Sequence, residues 1–413
     1  MEISSTTEHD RLQKTIRKIT KEQGMHDVED FSKFVKIVES FMIQGKFVCY
    51  GGTAINAHLP KKYQFYDFTH ELPDYDFFSS DSLNDAKRLA YTFHDAGFKN
   101  IEAKAAFHVG TYKVSVDFVQ VADITQIDEN LLVMLQNSSF KKNGIMYASA
   151  NYLRMELYKE LSYPQGNVER WEKVFNRLNL LNKHVPLVSK QLCKKPQEEL
   201  NTIVIYTMDG CTPVQLKNHL IHLGVVFIGQ SASSMVLQST MVNKQSTPAT
   251  APFFSVLAPD LDVLTEHMIE KIPGIDFESR PATGDLLPTH NIFSVCNRPI
   301  LIAYSTRDNC HAYNVVDKIR VASLDTLMNF FLLFSILPQD IYNPEHMLCI
   351  AIDLAAAQKK NIDVKNILLR RFSMKCLGGN KTRREMMRTR NIQRNTLDRN
   401  SIEWDKQFLK LRM

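Results

Sequence analysis

Residues 48–59, VCYGGTAINAHL, set two adjacent glycines between a short apolar run and a segment that opens as a helix. A strand that runs directly into Gly51-Gly52 and then a helix strongly restricts the local architecture. The glycines can make a tight turn, and without side chains they also let a phosphate chain lie against the backbone. The N–H groups opening the next helix favour an anion there. After a Pro-, Lys- and Tyr-rich loop at 60–73 comes PDYDFFS, which is expected to form a strand. Alternate side chains of a strand share a face, so Asp74 and Asp76 point the same way.

Two neighbouring carboxylates raise each other's pKa, and a hard divalent cation removes that conflict. A third acid, Asp117, sits in VSVDFV at 114–119, expected to be part of a further strand, where an unpaired charge would be expensive. Three carboxylates on adjacent strands suit two Mg²⁺ or Mn²⁺ ions of the kind used in phosphoryl displacement. Taken singly, each piece has a plainer account: a Gly-Gly turn, a solvated strand face, a buried ion-pair partner. Their order along the chain favours the metal account. The glycine turn would then hold the phosphates of a nucleotide, with the Thr53 hydroxyl beside them. Arg154 and Lys159, on an expected helix at 150–161, are candidate cations for the same triphosphate, with Glu156 and Glu160 as competing partners.

The chain has 413 residues, more than one core of ordinary size, so two domains are expected. No apolar run is long enough to span a bilayer, and the first residues carry no apolar signal segment. Seven cysteines without a CxxC pair argue against a disulfide framework and for a reducing compartment. The formal charge is +5, but residues 378–413 hold ten basic residues against four acids. The body is therefore almost neutral. Within this tail Arg383, Arg384, Arg388 and Arg394 are candidate RNA phosphate contacts beside Trp404. The competing account is docking of the tail through Ile402, Trp404, Phe408 and Leu409.

A second pattern echoes the first. VCYGGTAIN at 48–56 aligns with VFIGQSASS at 226–234, FFS at 77–79 recurs at 253–255, and Ala148-Ser149 recurs as Ala322-Ser323. This points to a duplicated unit. At the offset of the FFS match Asp74 falls on Thr250 and Asp76 on Pro252, while Gly52 becomes Gln230, so the second copy is expected to lack metal ligands.

The order strand, GG[ST], helix, DxD and a later acid resembles the nucleotidyltransferase fold shared with DNA polymerase β. The insert KKYQFYDFTHELP makes the gap from Gly52 to Asp74 longer than that superfamily usually has. YGGTAIN…PDYDFFS, the helical stretch from residue 146 and the downstream LIAYSTRDNCHAYNVV and IRVASLDTLMNFFLLF look like poly(A) polymerase catalytic subunits of poxviruses, asfarviruses and giant viruses. The resemblance implies an α/β (α+β) fold of two nucleotidyltransferase-like domains, each a small mixed sheet flanked by helices. The second would be degenerate, and a basic tail would follow. The expected division is a catalytic domain at 1–185, a linker at 186–199, the degenerate domain at 200–377 and the tail at 378–413.

The resemblance also implies template-independent addition of AMP from ATP to the 3′ end of viral mRNA, by a two-metal mechanism. Asp74 and Asp76 would bind both ions, Asp117 would complete the catalytic set, and Gly51, Gly52 and Thr53 would hold the triphosphate. The implied setting is the host cytoplasm, in the viral factory and also the virion. A homodimer or a separate viral processivity subunit would support long tails. Two alternatives stand beside it: another terminal nucleotidyltransferase, uridylyl- or CCA-adding, and a non-catalytic RNA-binding or processivity subunit.

Overall fold

The computed structural model describes residues 15, 28–66, 73–188, 193, 212–240, 253–337, 340–361 and 366–413. The chain forms two compact units, residues 1–149 with 387–413, and residues 150–386. This division departs from the expected boundary at 185, because the helices at 150–184 belong to the second unit and the chain end belongs to the first. The linker expected at 186–199 lies mostly outside the described residues. Among those described, no helix is long and apolar enough to cross a membrane.

The first unit opens with helix α1 (Val28–Gly45), whose Phe34, Val38, Phe41 and Met42 are buried at helical spacing. Strand β1 (Val48–Tyr50) leads into helix α2 (Gly51–His58), and β2 (Tyr75–Ser79) into helix α3 (Ser82–Asp95). Then come β3 (Glu102–Ala105), β4 (Thr111–Val116), β5 (Val119–Gln126), helix α4 (Glu129–Asn137), β6 (Phe140–Lys142) and β7 (Ile145–Tyr147).

The second unit holds α5 (Ala150–Leu161), α6 (Trp171–His184), α7 (Pro213–His222), β8 (Val226–Ile228), α8 (Gly229–Gln238), β9 (Phe254–Ala258) and α9 (Leu261–Lys271). Strands β10 (Ile275–Arg280), β11 (His290–Val295), β12 (Arg298–Ser305), β13 (His311–Val316) and β14 (Ile319–Ala322) follow. Helices α10 (Leu324–Ile336) and α11 (Pro344–Lys360) and strand β15 (Cys376–Leu377) complete it. Almost every residue of α10 is buried, and it packs against α5 and α11, as a helix apolar all round must.

With β16 (Lys410–Arg412) from the chain end, the first sheet runs β16-β3-β4-β5-β2-β1-β7-β6 and the second β10-β11-β12-β9-β8-β14-β13-β15. From β3 to β6 the first order becomes the second when each strand number is raised by seven. Pairing senses match too: β1 with β2 and β8 with β9 are antiparallel, whereas β2 with β5 and β9 with β12 are parallel. The duplication suggested by three short matches is thus present as topology.

The basic tail is folded. Residues 383–396 form helix α12, 402–408 form α13, and β16 (Lys410–Arg412) pairs antiparallel with β3. Of the four docking candidates, Leu409 is buried and Trp404 is half-buried against Phe408, whereas Ile402 is exposed. The absence of disulfides expected from cysteine spacing is also corrected. Cys310 pairs with Cys376 and Cys193 with Cys349, partners 66 and 156 residues apart that only folding brings together.

Candidate active site

Tyr50 ends β1 in extended backbone, and Gly51 then takes φ +69°, a left-handed conformation that L side chains rarely adopt. The turn also needs the missing side chain for space, since a Cβ on Gly51 would lie 2.5 Å from Asp76 Oδ2. No side chain caps the start of α2. Thr53 is placed differently from expectation. It is buried and donates its hydroxyl to the Asp74 carbonyl at 2.6 Å, so it clamps the carboxylate segment instead of facing a phosphate. Asn56 Oδ1 accepts the N–H groups of Phe65 and Tyr66, and Gln64 donates to the Asn56 and Leu59 carbonyls. These bonds fold the start of the long insert back onto the C-terminus of α2.

Asp76 pairs in register with Tyr50 on one side and with Asp123 of the parallel strand β5 on the other. Register partners project from the same face, so Asp76 and Asp123 are neighbours, with Asp74 two residues away on the same side. Asp123 Oδ2 accepts from Lys113 Nζ at 2.7 Å, and its Oδ1 is buried with no hydrogen-bond partner. Burial raises the Asp123 carboxyl above the usual carboxylate range; Lys113 opposes this and the charge of Asp74 adds to it. Lys113 also donates to Gln120 Oε1, and Gln120 Nε2 donates to Asp74 Oδ1 at 3.3 Å. Burial, with the charges of Asp76 and Asp74, pushes the nearby Cys49 thiol up, away from a nucleophilic thiolate.

Asp117 does not join this set. It occupies the turn between β4 and β5 with φ +47°, followed by Phe118 at φ +66°, and is exposed, accepting from Asn100 Nδ2. The third carboxylate is Asp123, which sequence reasoning missed. The run 114–119 reads as strand because Asp-Phe is not a usual turn dipeptide. The signal for Asp123 was a single acid between apolar neighbours in VADI.

Three carboxylates, one with an orphaned buried oxygen, are hard donors suited to a divalent cation. Among the described residues, however, no three such side chains close into a ligand cage.

The expected helix cations are engaged within the second unit. Arg154 is 1% exposed; its Nε donates to Asn182 Oδ1 and its Nη1 to Asn151 Oδ1, both at 2.8 Å, and burial pulls its pKa down to about 10. That guanidinium ties α5 to α6 and is not a free cation for a triphosphate. Lys159 is paired with Glu156 at 3.1 Å. In the tail, Arg383, Arg384, Arg388 and Arg394 are exposed, Arg394 over the Phe408 ring, whereas Arg390 donates to the Ala106 and Gln407 carbonyls.

The second unit repeats the turn without the acids. Gly229 has φ +65°, and a Cβ there would meet Ser255, which pairs with Ile228 as Asp76 pairs with Tyr50. Ser255 in turn pairs with Ile302, the counterpart of Asp123. The register therefore makes Ser255 the counterpart of Asp76 in place of Pro252, which with Thr250 lies outside the described residues. The Ser255, Tyr342 and Tyr304 hydroxyls form a buried chain with 3.1 Å links.

Residues 36–167 match the family model described as poly(A) polymerase catalytic subunit. A protein of African swine fever virus named as such a subunit is 31% identical over 159 residues, covering 37% of this chain and 33% of its own length. The Acanthamoeba polyphaga mimivirus protein of the same name is 26% identical over 177 residues, covering 41% of this chain and 30% of its own length. The match thus spans about a third of these relatives. The crystal structure of the Megavirus polyadenylate synthase superposes with a TM-score of 0.77 at 17% identity, over 96% of this chain and 84% of that one. Residues 36–167 are thus similar to the poly(A) polymerase catalytic subunit model, and the chain shares the fold of the Megavirus polyadenylate synthase.

Proposed function

We propose that this chain is a template-independent polynucleotide adenylyltransferase that transfers AMP from ATP to an RNA 3′ end. The observation that carries this is the register pair Asp76–Asp123 beside the Gly51 turn, with Asp123 Oδ1 buried and unpartnered. Asp74, Asp76 and Asp123 would hold the divalent cations, which when bound would supply Lewis-acid stabilisation of the charge that develops in the displacement. Gly51 and Gly52 offer backbone N–H groups to the triphosphate at the start of α2. Asp123, whose Oδ1 is buried and unpartnered, would receive the proton of the RNA 3′-hydroxyl as that oxygen attacks the α-phosphate and pyrophosphate leaves. Thr53 keeps Asp74 in place through its carbonyl. The second unit has Ser255 and Ile302 where the carboxylates would stand, and serves as support for RNA.

The same reading places the activity on viral mRNA in the host cytoplasm, with long tails made by a homodimer or with a separate processivity subunit. Incubation with an RNA primer and each nucleoside triphosphate in turn tests it: ladders are expected with ATP and Mg²⁺ or Mn²⁺. Extension by UTP alone, or ordered addition of CMP and AMP, would assign a sister activity. No incorporation with any nucleotide would leave a binding subunit.

A further inference from the structure

We propose that the end of α2 and edge strand β6 form a binding face for single-stranded RNA. The inference stands apart from the adenylyltransferase reading, since the face is defined by its side chains.

Phe140, Lys141 and Lys142 make up β6, the last strand of the first sheet, and all three are exposed. The Phe140 ring lies 4.7 Å from the His58 ring, centroid to centroid, and remains 39% exposed. Lys142 Nζ donates to the Ala57 carbonyl at 3.2 Å, which carries β6 onto the C-terminal turn of α2. The bonds from Asn56 and Gln64 fold the segment with exposed Lys61 and Lys62 back onto that same turn. Four lysines and an aromatic face thereby gather at one end of a helix. Among the described residues none of the four lysines pairs with a carboxylate, unlike Lys87, Lys104, Lys113 and Lys159. Unpaired cations around a half-exposed ring are what a sequence-tolerant single-strand site uses, phosphates on the lysines and a base on the ring.

Phe140 pairs with Tyr147, Tyr147 with Cys49 and Cys49 with Phe77, so the ring belongs to the Phe77 face of the sheet, opposite Asp76. Strand β6 lies three strands from β2, roughly 14 Å at ordinary strand spacing.

The test is binding of a labelled single-stranded RNA of mixed sequence by the full chain, without ATP or metal. Phe140→Ala should weaken it about 5- to 100-fold, and Phe140→Trp should retain it. The triple variant Lys61→Gln, Lys62→Gln, Lys141→Gln should lower the slope of log K against log salt by about 2. The control triple Lys36→Gln, Lys46→Gln, Lys99→Gln, exposed in the same unit, should leave the slope near that of the unchanged chain. Thermal melting of each variant separates lost contacts from lost fold. Unchanged affinity in folded variants, an equal effect of the control triple, or full affinity in Phe140→Ala would each overturn the proposal. A chain that adds no AMP yet loses RNA through these substitutions keeps the binding face and discards the enzyme reading.

Discussion

Gly51 and Asp76 share one space: a Cβ at residue 51 would stand 2.5 Å from the Asp76 carboxylate oxygen. The glycine therefore sets the backbone of the turn and also makes room for an acid on the next strand. Gly51→Ala should cost stability by about 1–2 kcal/mol for the left-handed backbone alone. It should also displace Asp76 and abolish AMP incorporation. Melting temperature and primer extension on one preparation check both parts.

The exchange of Asp117 for Asp123 gives a direct contrast. Asp123→Asn should lower AMP incorporation by about 10²–10³ under single-turnover conditions. Asp117→Asn, on an exposed turn where asparagine tolerates positive φ, should stay within about twofold. Comparable losses in both variants would return Asp117 to the site.

Thr53 tests positioning against phosphate contact. Thr53→Val removes the bond to the Asp74 carbonyl and should cost roughly 1–3 kcal/mol, whereas Thr53→Ser should restore stability. Mn²⁺ affinity measured calorimetrically should fall in Thr53→Val in parallel with stability. Loss of ATP affinity alone, with Mn²⁺ affinity intact, would favour a phosphate role.

Deleting residues 401–413 removes β16 and buried Leu409 and bares the outer edge of β3. The truncated chain should melt lower, by about 2–5 kcal/mol for the leucine alone, and should self-associate through the open edge. A truncation that changed only the salt dependence of RNA binding would restore the tail as a phosphate track.

The Cys310–Cys376 pair closes a span of 66 residues in the second unit. Cys310→Ser with Cys376→Ser should destabilise that unit by about 3–5 kcal/mol on the chain-entropy account. Thiol titration of the unfolded chain before and after reduction measures whether the bond is present in the purified protein.

The sequence by itself determined what is local. The strand–Gly-Gly–helix run and the Asp74–Asp76 alternation are consequences of short-range geometry, and each lies within a few residues of its partner. The duplication was also visible, because Val-x-x-Gly and Phe-Phe-Ser sit in corresponding strands of both sheets. Tertiary structure decided everything that depends on register between distant strands. Which acid faces Asp76 is set by a two-residue turn at Asp117-Phe118; moving that turn exchanges a strand position for a loop position and carries Asp123 into the site. Burial likewise decided Arg154 and Thr53, whose hydrogen-bonding groups are used within the protein. Pairing decided the tail, whose charges concealed a strand that completes the sheet edge. A side chain's chemistry is written in the sequence, but its availability depends on what the folded chain places against it.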